Sequence, residues 1–228
     1  MNRKRNSLWL ILLAGDCPGG NAEVVLKQLA PTADGIICAD GGSNHAYALE
    51  ISPTLIVGDQ DSLTKEVGLY FKSQGVEFID YPVQKDYTDG EAAFHEALKR
   101  GAKEMIVFGT LGGRIDHTLN NLFLMASFSA RLARLSFWQE DLEGVFCLPK
   151  EENFFNGQTG DTISLFALSP FVKRITLKNF IYPLLEYNLA FGSSRTMSNQ
   201  LKSELGCVWF EEGILMALHY HRRIGGIE

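Results

Sequence analysis

The chain has no apolar run long enough to cross a bilayer, no CxxC pair, no internal repeat and no low-complexity tract. It also lacks the GxGxxG of dinucleotide-binding folds and the GxxxxGK[ST] of P-loops. Positive charge is scarce: 21 Lys and Arg stand against 27 Asp and Glu, a net charge of −6. Each absence removes a class of function. A membrane-spanning helix is not expected. The scattered Cys17, Cys38, Cys147 and Cys207 form neither a disulfide framework nor a zinc site, and they fit a reducing cytoplasm. An acidic chain is not expected to hold a nucleic acid backbone, but it can take a phosphorylated small molecule through a cation, or a cationic substrate. The opening MNRKRNSLWLILLAG mimics a secretory leader. Its apolar part is short and runs into GDCPGG without a small-residue cleavage site, so it reads as a strand and a glycine-rich turn.

What the chain does have is an aspartate beyond every apolar run of its first half. LWLILLA leads to Asp16, GIICA to Asp40, and LIVG to Asp59 and Asp61. VEFI leads to Asp86 and Asp89, and MIVFG to Asp116. Helical patterns alternate with these runs at 21–30, 43–50, 64–74, 89–100 and 116–134. The fourth has a T-x-x-E capping box at Thr88 and Glu91, and a terminating Gly101. Five strand–helix repeats predict an α/β fold with a parallel, doubly wound sheet over residues 1–140. The carboxyl ends of such strands share one edge, where open α/β sheets bind ligands. Carboxylates gathered there repel one another and call for a hard divalent cation, with a polyphosphate behind it.

After Phe137 the pattern changes to alternating, β-rich stretches: DTISLFAL, VKRITLKNF, CVWF and ILMALHYH. Turn signals at Asn156-Gly157, Ser169-Pro170 and Glu212-Gly213 separate them. We read residues 141–228 as a smaller all-β sandwich domain, joined through a linker near 140–150.

Three local signals carry chemistry. In GDQDS, Asp59 and Asp61 leave a buried strand one residue apart and can share a cation, although Asp61 or Ser62 alone would also cap the next helix. In QKDYTDGE, Asp89 suits the first turn of a helix, whereas Asp86 has no capping duty; Lys85 could offset the acids. In GTLGGRIDH, Gly112 and Gly113 allow backbone to approach phosphates, and Arg114 offers a fork to phosphate oxygens. Asp116 and His117 could equally serve only the helix start. Asp40 and Gly41 repeat the theme of strand, acid and glycine. Ser198 and Asn199 lie in a polar loop that could read a ring edge or simply close a hairpin. His219 and His221 share a strand face; metal binding is open to them, but a partly exposed terminal strand is the simpler reading. Trp9, Trp138 and Trp209 read as core.

In order, ADGGSNHAYAL, PxxIVGDQDS, KDYTDGEAAFHEAL and GTLGGRIDHTLNNLFLM resemble the thiamine pyrophosphokinase family, and the likeness runs on through Tyr182-Pro183-Leu184 and Ser198-Asn199. The resemblance implies transfer of a pyrophosphoryl group from ATP to thiamine, giving AMP and thiamine diphosphate. It implies Mg²⁺ held by Asp59, Asp61 and Asp89, with Asp86 and Asp116 close by. ATP phosphates would meet Gly112, Gly113 and Arg114, with Asp40 and Gly41 in the same nucleotide site. Thiamine would meet Ser198 and Asn199. It further implies a homodimer; the cytoplasm follows from the cysteine usage above, and Asp86 or Asp116 could accept the thiamine proton. Gln60 departs from the family pattern, in which that position is more often apolar, and GDCPGG is only loosely similar. The competing readings are a phosphatase with Asp59 as nucleophile, a non-catalytic nucleotide or thiamine binder, and a structural domain whose acids merely cap helices.

Overall fold

The structure, a computed structural model, describes residues 7–59, 61–81 and 86–222, so Gln60 and Lys85 lie outside the described residues. The chain divides into two compact units: Met1–Leu124 with Phe137–Glu140, and Met125–Ser136 with Asp141–Glu228.

The first unit is built on five parallel strands: β1 (Leu8–Leu12), β2 (Gly35–Ala39), β3 (Leu55–Gly58), β4 (Glu77–Asp80) and β5 (Glu104–Phe108). Their hydrogen-bonded order is β5-β1-β2-β3-β4. The order advances from β1 to β4 and then reverses to place β5 on the other side of β1. Helices α1 (Gly20–Leu29), α2 (Gly42–Ala48), α3 (Lys65–Ser73), α4 (Asp89–Lys99) and α5 (Ile115–Ser129) make the crossovers and continuation.

Successive strand residues point to opposite faces. Leu10, Leu12, Ile36, Cys38, Ile56 and Phe108 pack with Ala22 and Leu26 of α1, Ala46 of α2, and Val67 and Phe71 of α3. The alternate residues Ile11, Ile37, Leu55, Val57 and Val107 are equally buried, and α4 lies against β1, β2 and β3 with Ala92, Ala93, Phe94 and Ala97 inward. Both faces of β1, β2, β3 and β5 are therefore covered, which is why these four read as continuous apolar runs, whereas the edge strand β4 has no fully buried residue.

Thr88 caps α4 through its hydroxyl, which accepts from Glu91 N at 3.2 Å, and Gly101 follows the helix with φ +87°. The fifth helix is shorter than its sequence pattern. It stops at Ser129, whose hydroxyl donates to the Ala126 carbonyl at 2.8 Å, and Arg134 opens a strand, β6 (Arg134–Gln139).

The second unit holds two layers of antiparallel strands. One has the order β12-β9-β14-β7, from β7 (Leu142–Cys147), β9 (Thr162–Ala167), β12 (Asn199–Gln200) and β14 (Leu215–Tyr220). The other runs β11-β10-β13-β8, from β8 (Asn153–Asn156), β10 (Phe171–Lys178), β11 (Leu184–Ala190) and β13 (Leu205–Trp209). Ile163, Leu165, Leu215 and Ala217 of the first sheet meet Val172, Ile175, Leu177, Leu189 and Val208 of the second in one core. This is a sandwich. The linker expected near 140–150 is largely β7. Trp9 and Trp138 are buried, while Trp209 is only half-buried. All four cysteines are unpaired, and among the described residues no helix is long and apolar enough to cross a membrane.

Candidate active site

The sheet edge beyond β2 and β3 gathers three carboxylates. Asp40 follows β2, Asp59 follows β3, and Asp89 begins α4; one oxygen of each lies within 4.8 Å of the others. The local backbone is shaped for this. Asp40 sits at φ +42°, a left-handed conformation that a non-glycine residue adopts at a cost. It is fixed there by Asp40 N donating to Val57 O at 2.8 Å and by Ser43 N donating to Asp40 O at 2.9 Å. Gly58, at φ +144°, leaves the space the carboxylates use: a Cβ there would stand 2.9 Å from Asp40 Cβ and 3.2 Å from Asp89 Oδ1.

Asp40 is 6% exposed. Its Oδ2 accepts from Ser62 N at 3.1 Å, while Oδ1 is buried without a hydrogen-bond partner among the described residues. Burial pushes its pKa up to about 6 against the pull of the Ser62 hydrogen bonds, and the Asp61 and Asp89 carboxylates add to the rise. A buried acceptor without a donor, crowded by like charge, is what a hard cation would satisfy, and an all-carboxylate set suits Mg²⁺. The residues therefore fit the cation that the sequence implied.

The membership of the trio differs from the sequence expectation in one position. Asp40, first grouped with the nucleotide contacts, takes part. Asp61 stands beside it, exposed, with its amide donating to Asp59 Oδ1 at 3.1 Å and its Oδ1 accepting from Ser62 Oγ at 2.9 Å. The Ser62 hydrogen bond, followed by interaction with Asp40, lowers its pKa. Asp86 is exposed in the turn before α4. Gly41 caps α2.

A second grouping lies where the strand order reverses, between β1 and β5. The loops that follow these strands are laced together: Gly15 N donates to Gly109 O at 2.9 Å and Asp16 N to Leu111 O at 2.8 Å, while a His45 ring nitrogen meets Gly15 O at 2.7 Å. Gly112 and Gly113 are consecutive left-handed residues, at φ +99° and +63°. Asp16 packs against Gly112 so closely that any side chain at 112 would collide with its carboxylate. Thus Asp16 belongs to this loop pair, not to the acidic trio. Arg114 and Asp116 are exposed and paired with each other in fork fashion, through Nε–Oδ1 at 3.1 Å and Nη2–Oδ2 at 2.5 Å. Asp116 also accepts from His117 N at 3.1 Å, and the Arg114 hydrogen bonds hold its pKa below the usual carboxylate range.

In the second unit, Ser198 is exposed at φ +51°, its amide donating to Ser164 Oγ at 2.9 Å. Asn199 is buried, and its amide is committed to backbone: Oδ1 accepts from Tyr182 N at 3.0 Å and Gln200 N at 2.9 Å, and Nδ2 donates to Tyr182 O at 2.8 Å. It therefore clamps Tyr182, which is 66% exposed. Nothing in the sequence signals this bond, since it runs to main-chain groups. His219, expected on a partly exposed strand, is fully buried.

Comparison with known proteins matches both units. A family model described as thiamin pyrophosphokinase, catalytic domain, matches residues 26–136, and one described as thiamin pyrophosphokinase, vitamin B1 binding domain, matches residues 147–215. The chain is 27% identical over 182 residues to a thiamine pyrophosphokinase of Bacillus subtilis (strain 168), covering 80% of this chain and 85% of that protein. It is 30% identical over 167 residues to thiamine pyrophosphokinase 1 of Oryza sativa subsp. japonica, 60% of this chain and 62% of that one. The solved structure of the Bacillus subtilis protein superposes with a TM-score of 0.79 at 24% identity, over 94% of this chain and 99% of that chain, a likeness of fold.

Proposed function

This chain belongs to the thiamin pyrophosphokinase family, and on that premise we propose that it transfers the pyrophosphoryl group of ATP to the hydroxyethyl arm of thiamine, releasing AMP and thiamine diphosphate. The observation that carries the reading is the trio Asp40, Asp59 and Asp89, with an unsatisfied buried oxygen on Asp40. These three carboxylates, with Asp61 beside them, would hold Mg²⁺. That ion would supply positive charge to offset the phosphates.

The remaining work falls to the chain's own groups. Gly112 and Gly113 let backbone amides approach the phosphates, and Arg114 turns its fork from Asp116 to the transferring group as charge builds there. Asp116 holds Arg114 in readiness. The thiamine hydroxyl proton passes to Asp86 or to Asp116. Asp40 and Gly41 shape the nucleotide side of the same edge. In the second unit, the Ser198 hydroxyl and the Tyr182 segment clamped by Asn199 receive thiamine. An acidic surface also favours its permanent positive charge. The protein works as a homodimer in this reading, supported by exposed apolar side chains of the second unit at Phe171, Tyr182, Leu185 and Phe191. Sedimentation would give twice the chain mass.

Incubating the purified protein with thiamine, ATP and Mg²⁺ and resolving the nucleotides tests the reaction. AMP formed in equal amount to thiamine diphosphate is expected. ADP with thiamine monophosphate would reject pyrophosphoryl transfer.

A further inference from the structure

The second unit contains a cluster that the reaction above does not use. In the antiparallel pair β7–β14, Glu143 lies directly opposite His219, so the two side chains leave the sheet on one face. His221 is two residues further on and returns to that face. Its amide donates to Asp141 O at 2.8 Å, extending the ladder past the end of β14. The two imidazole rings lie 3.7 Å apart, centroid to centroid. One ligand atom from each of Glu143, His219 and His221 falls within 4.8 Å of the others. Donors on one ion at about 2.1 Å stand about 3 to 3.5 Å apart, so the set needs to contract by no more than about 1 to 2 Å.

The surroundings point the same way. Arg134 Nη2 donates to Glu143 Oε1 at 3.0 Å, which orients the carboxylate and leaves Oε2 facing His221 Nε2 at 3.3 Å. Such outer contacts are the usual support of metal ligands. His219 is 1% exposed, and its Nε2 has no hydrogen-bond partner among the described residues; the nearest carboxylate oxygen, Asp161 Oδ2, is 3.4 Å away. Asp161 Oδ1 is likewise buried without a hydrogen-bond partner, and its ion-pair contact is Arg222 Nε at 4.0 Å. Buried polar atoms are rarely left unsatisfied. Gly157 borders the cluster: a Cβ there would stand 2.9 Å from the His219 ring. The His221 side chain is 17% exposed and gives an ion a way in.

We propose that Glu143, His219 and His221 bind one divalent transition-metal ion of the Zn²⁺ class. Two imidazoles and a carboxylate suit Zn²⁺, Co²⁺ or Ni²⁺, whereas the all-carboxylate trio of the first unit suits Mg²⁺. The ion ties the end of β14 to β7 and stabilises the folded chain by mass action.

The test uses the full-length protein, treated with chelator and then titrated with Co²⁺ in excess Mg²⁺. One equivalent of Co²⁺ should give visible d–d absorption that Zn²⁺ bleaches, and Zn²⁺ should raise the melting temperature by several degrees. His221→Ala and Glu143→Gln should each weaken Zn²⁺ binding by about 100-fold or more while circular dichroism and turnover stay at wild-type values. Asp59→Asn should leave the absorption intact. If Glu143→Gln does not fold, His221→Ala decides the matter. Three results would overturn the assignment: no absorption or thermal shift in the wild type, wild-type affinity in folded His221→Ala, or absorption that disappears with Asp59→Asn.

Discussion

The two units each crowd ionisable side chains, and they do so by opposite means. In the first unit, Asp40, Asp59 and Asp89 come from three separate chain segments, all just beyond strand ends or at a helix start. Bringing them together takes a left-handed aspartate and a glycine at 58. In the second unit, Glu143 and His219 are cross-strand partners, and His221 follows by the two-residue period of a strand. No strained residue is needed; the ladder places them. A loop-built cluster stores strain and like charge, which suits a site that must bind and release a charged substrate. The ladder-built cluster is placed by sheet pairing and is open to solvent only at His221, which suits a fixture.

The comparison is broken most severely at the acids. Asp59→Asn and Asp89→Asn should each lower turnover by about 100-fold or more while leaving the melting temperature equal or higher, since repulsion is relieved as chemistry is lost. Steady-state kinetics with calorimetry would check this, and near-normal turnover in either variant would remove the trio from the reaction. Next in size is Gly58→Ala. Its Cβ would press on Asp40, and its φ is unfavourable to any side chain, so a loss of about 1 to 3 kcal/mol in urea unfolding is expected, together with weaker Mg²⁺ dependence. Asn199→Ala sharpens the contrast from the other unit. It unties the Tyr182 backbone and should cost about 1 to 2 kcal/mol, with the KM for thiamine rising more than kcat falls.

Acid sets the two clusters in opposition at the smallest scale. His219 has its pKa lowered to about 4, by burial first and then by His221. The unfolded chain therefore takes up this proton first, and the contribution lost grows from about pH 6.5 down to about 4. Asp40 is raised to about 6, so here the folded chain takes up the proton first, and stability is gained as pH falls from about 6 to about 4. Urea unfolding across this range should show His219→Gln removing a loss and Asp40→Asn removing a gain. Parallel pH profiles for wild type and both variants would defeat this account.

Strand positions in the first unit were legible because burial on both faces writes itself as uninterrupted apolar runs: GIICA and LIVG are β2 and β3 residue for residue. The gathering of acids at strand ends was legible for the same topological reason, but its membership was not. Asp40 looked like one more acid-glycine turn, and only the Gly58 gap and the left-handed turn carry it into the trio. Pattern failed at 130–133, where residues compatible with a helix form the turn that leads into β6, and at NFFN and LLEYNLA, whose short or outward-facing residues give no clean alternation. The Asn199–Tyr182 clamp joins residues 17 apart through main-chain groups, and side-chain identity says nothing of those.

The hydrogen bonds between the Gly15–Asp16 and Gly109–Leu111 backbones have a kinetic corollary. Glycine-rich segments elsewhere often wait as floppy flaps that a ligand must gather, at about 1 to 2 kcal/mol per residue immobilised. Here that ordering is completed when the polypeptide folds. In the proposed reaction the nucleotide would meet loops already tied together, and its capture rate should track diffusion and ionic strength, not the opening and closing of a gate.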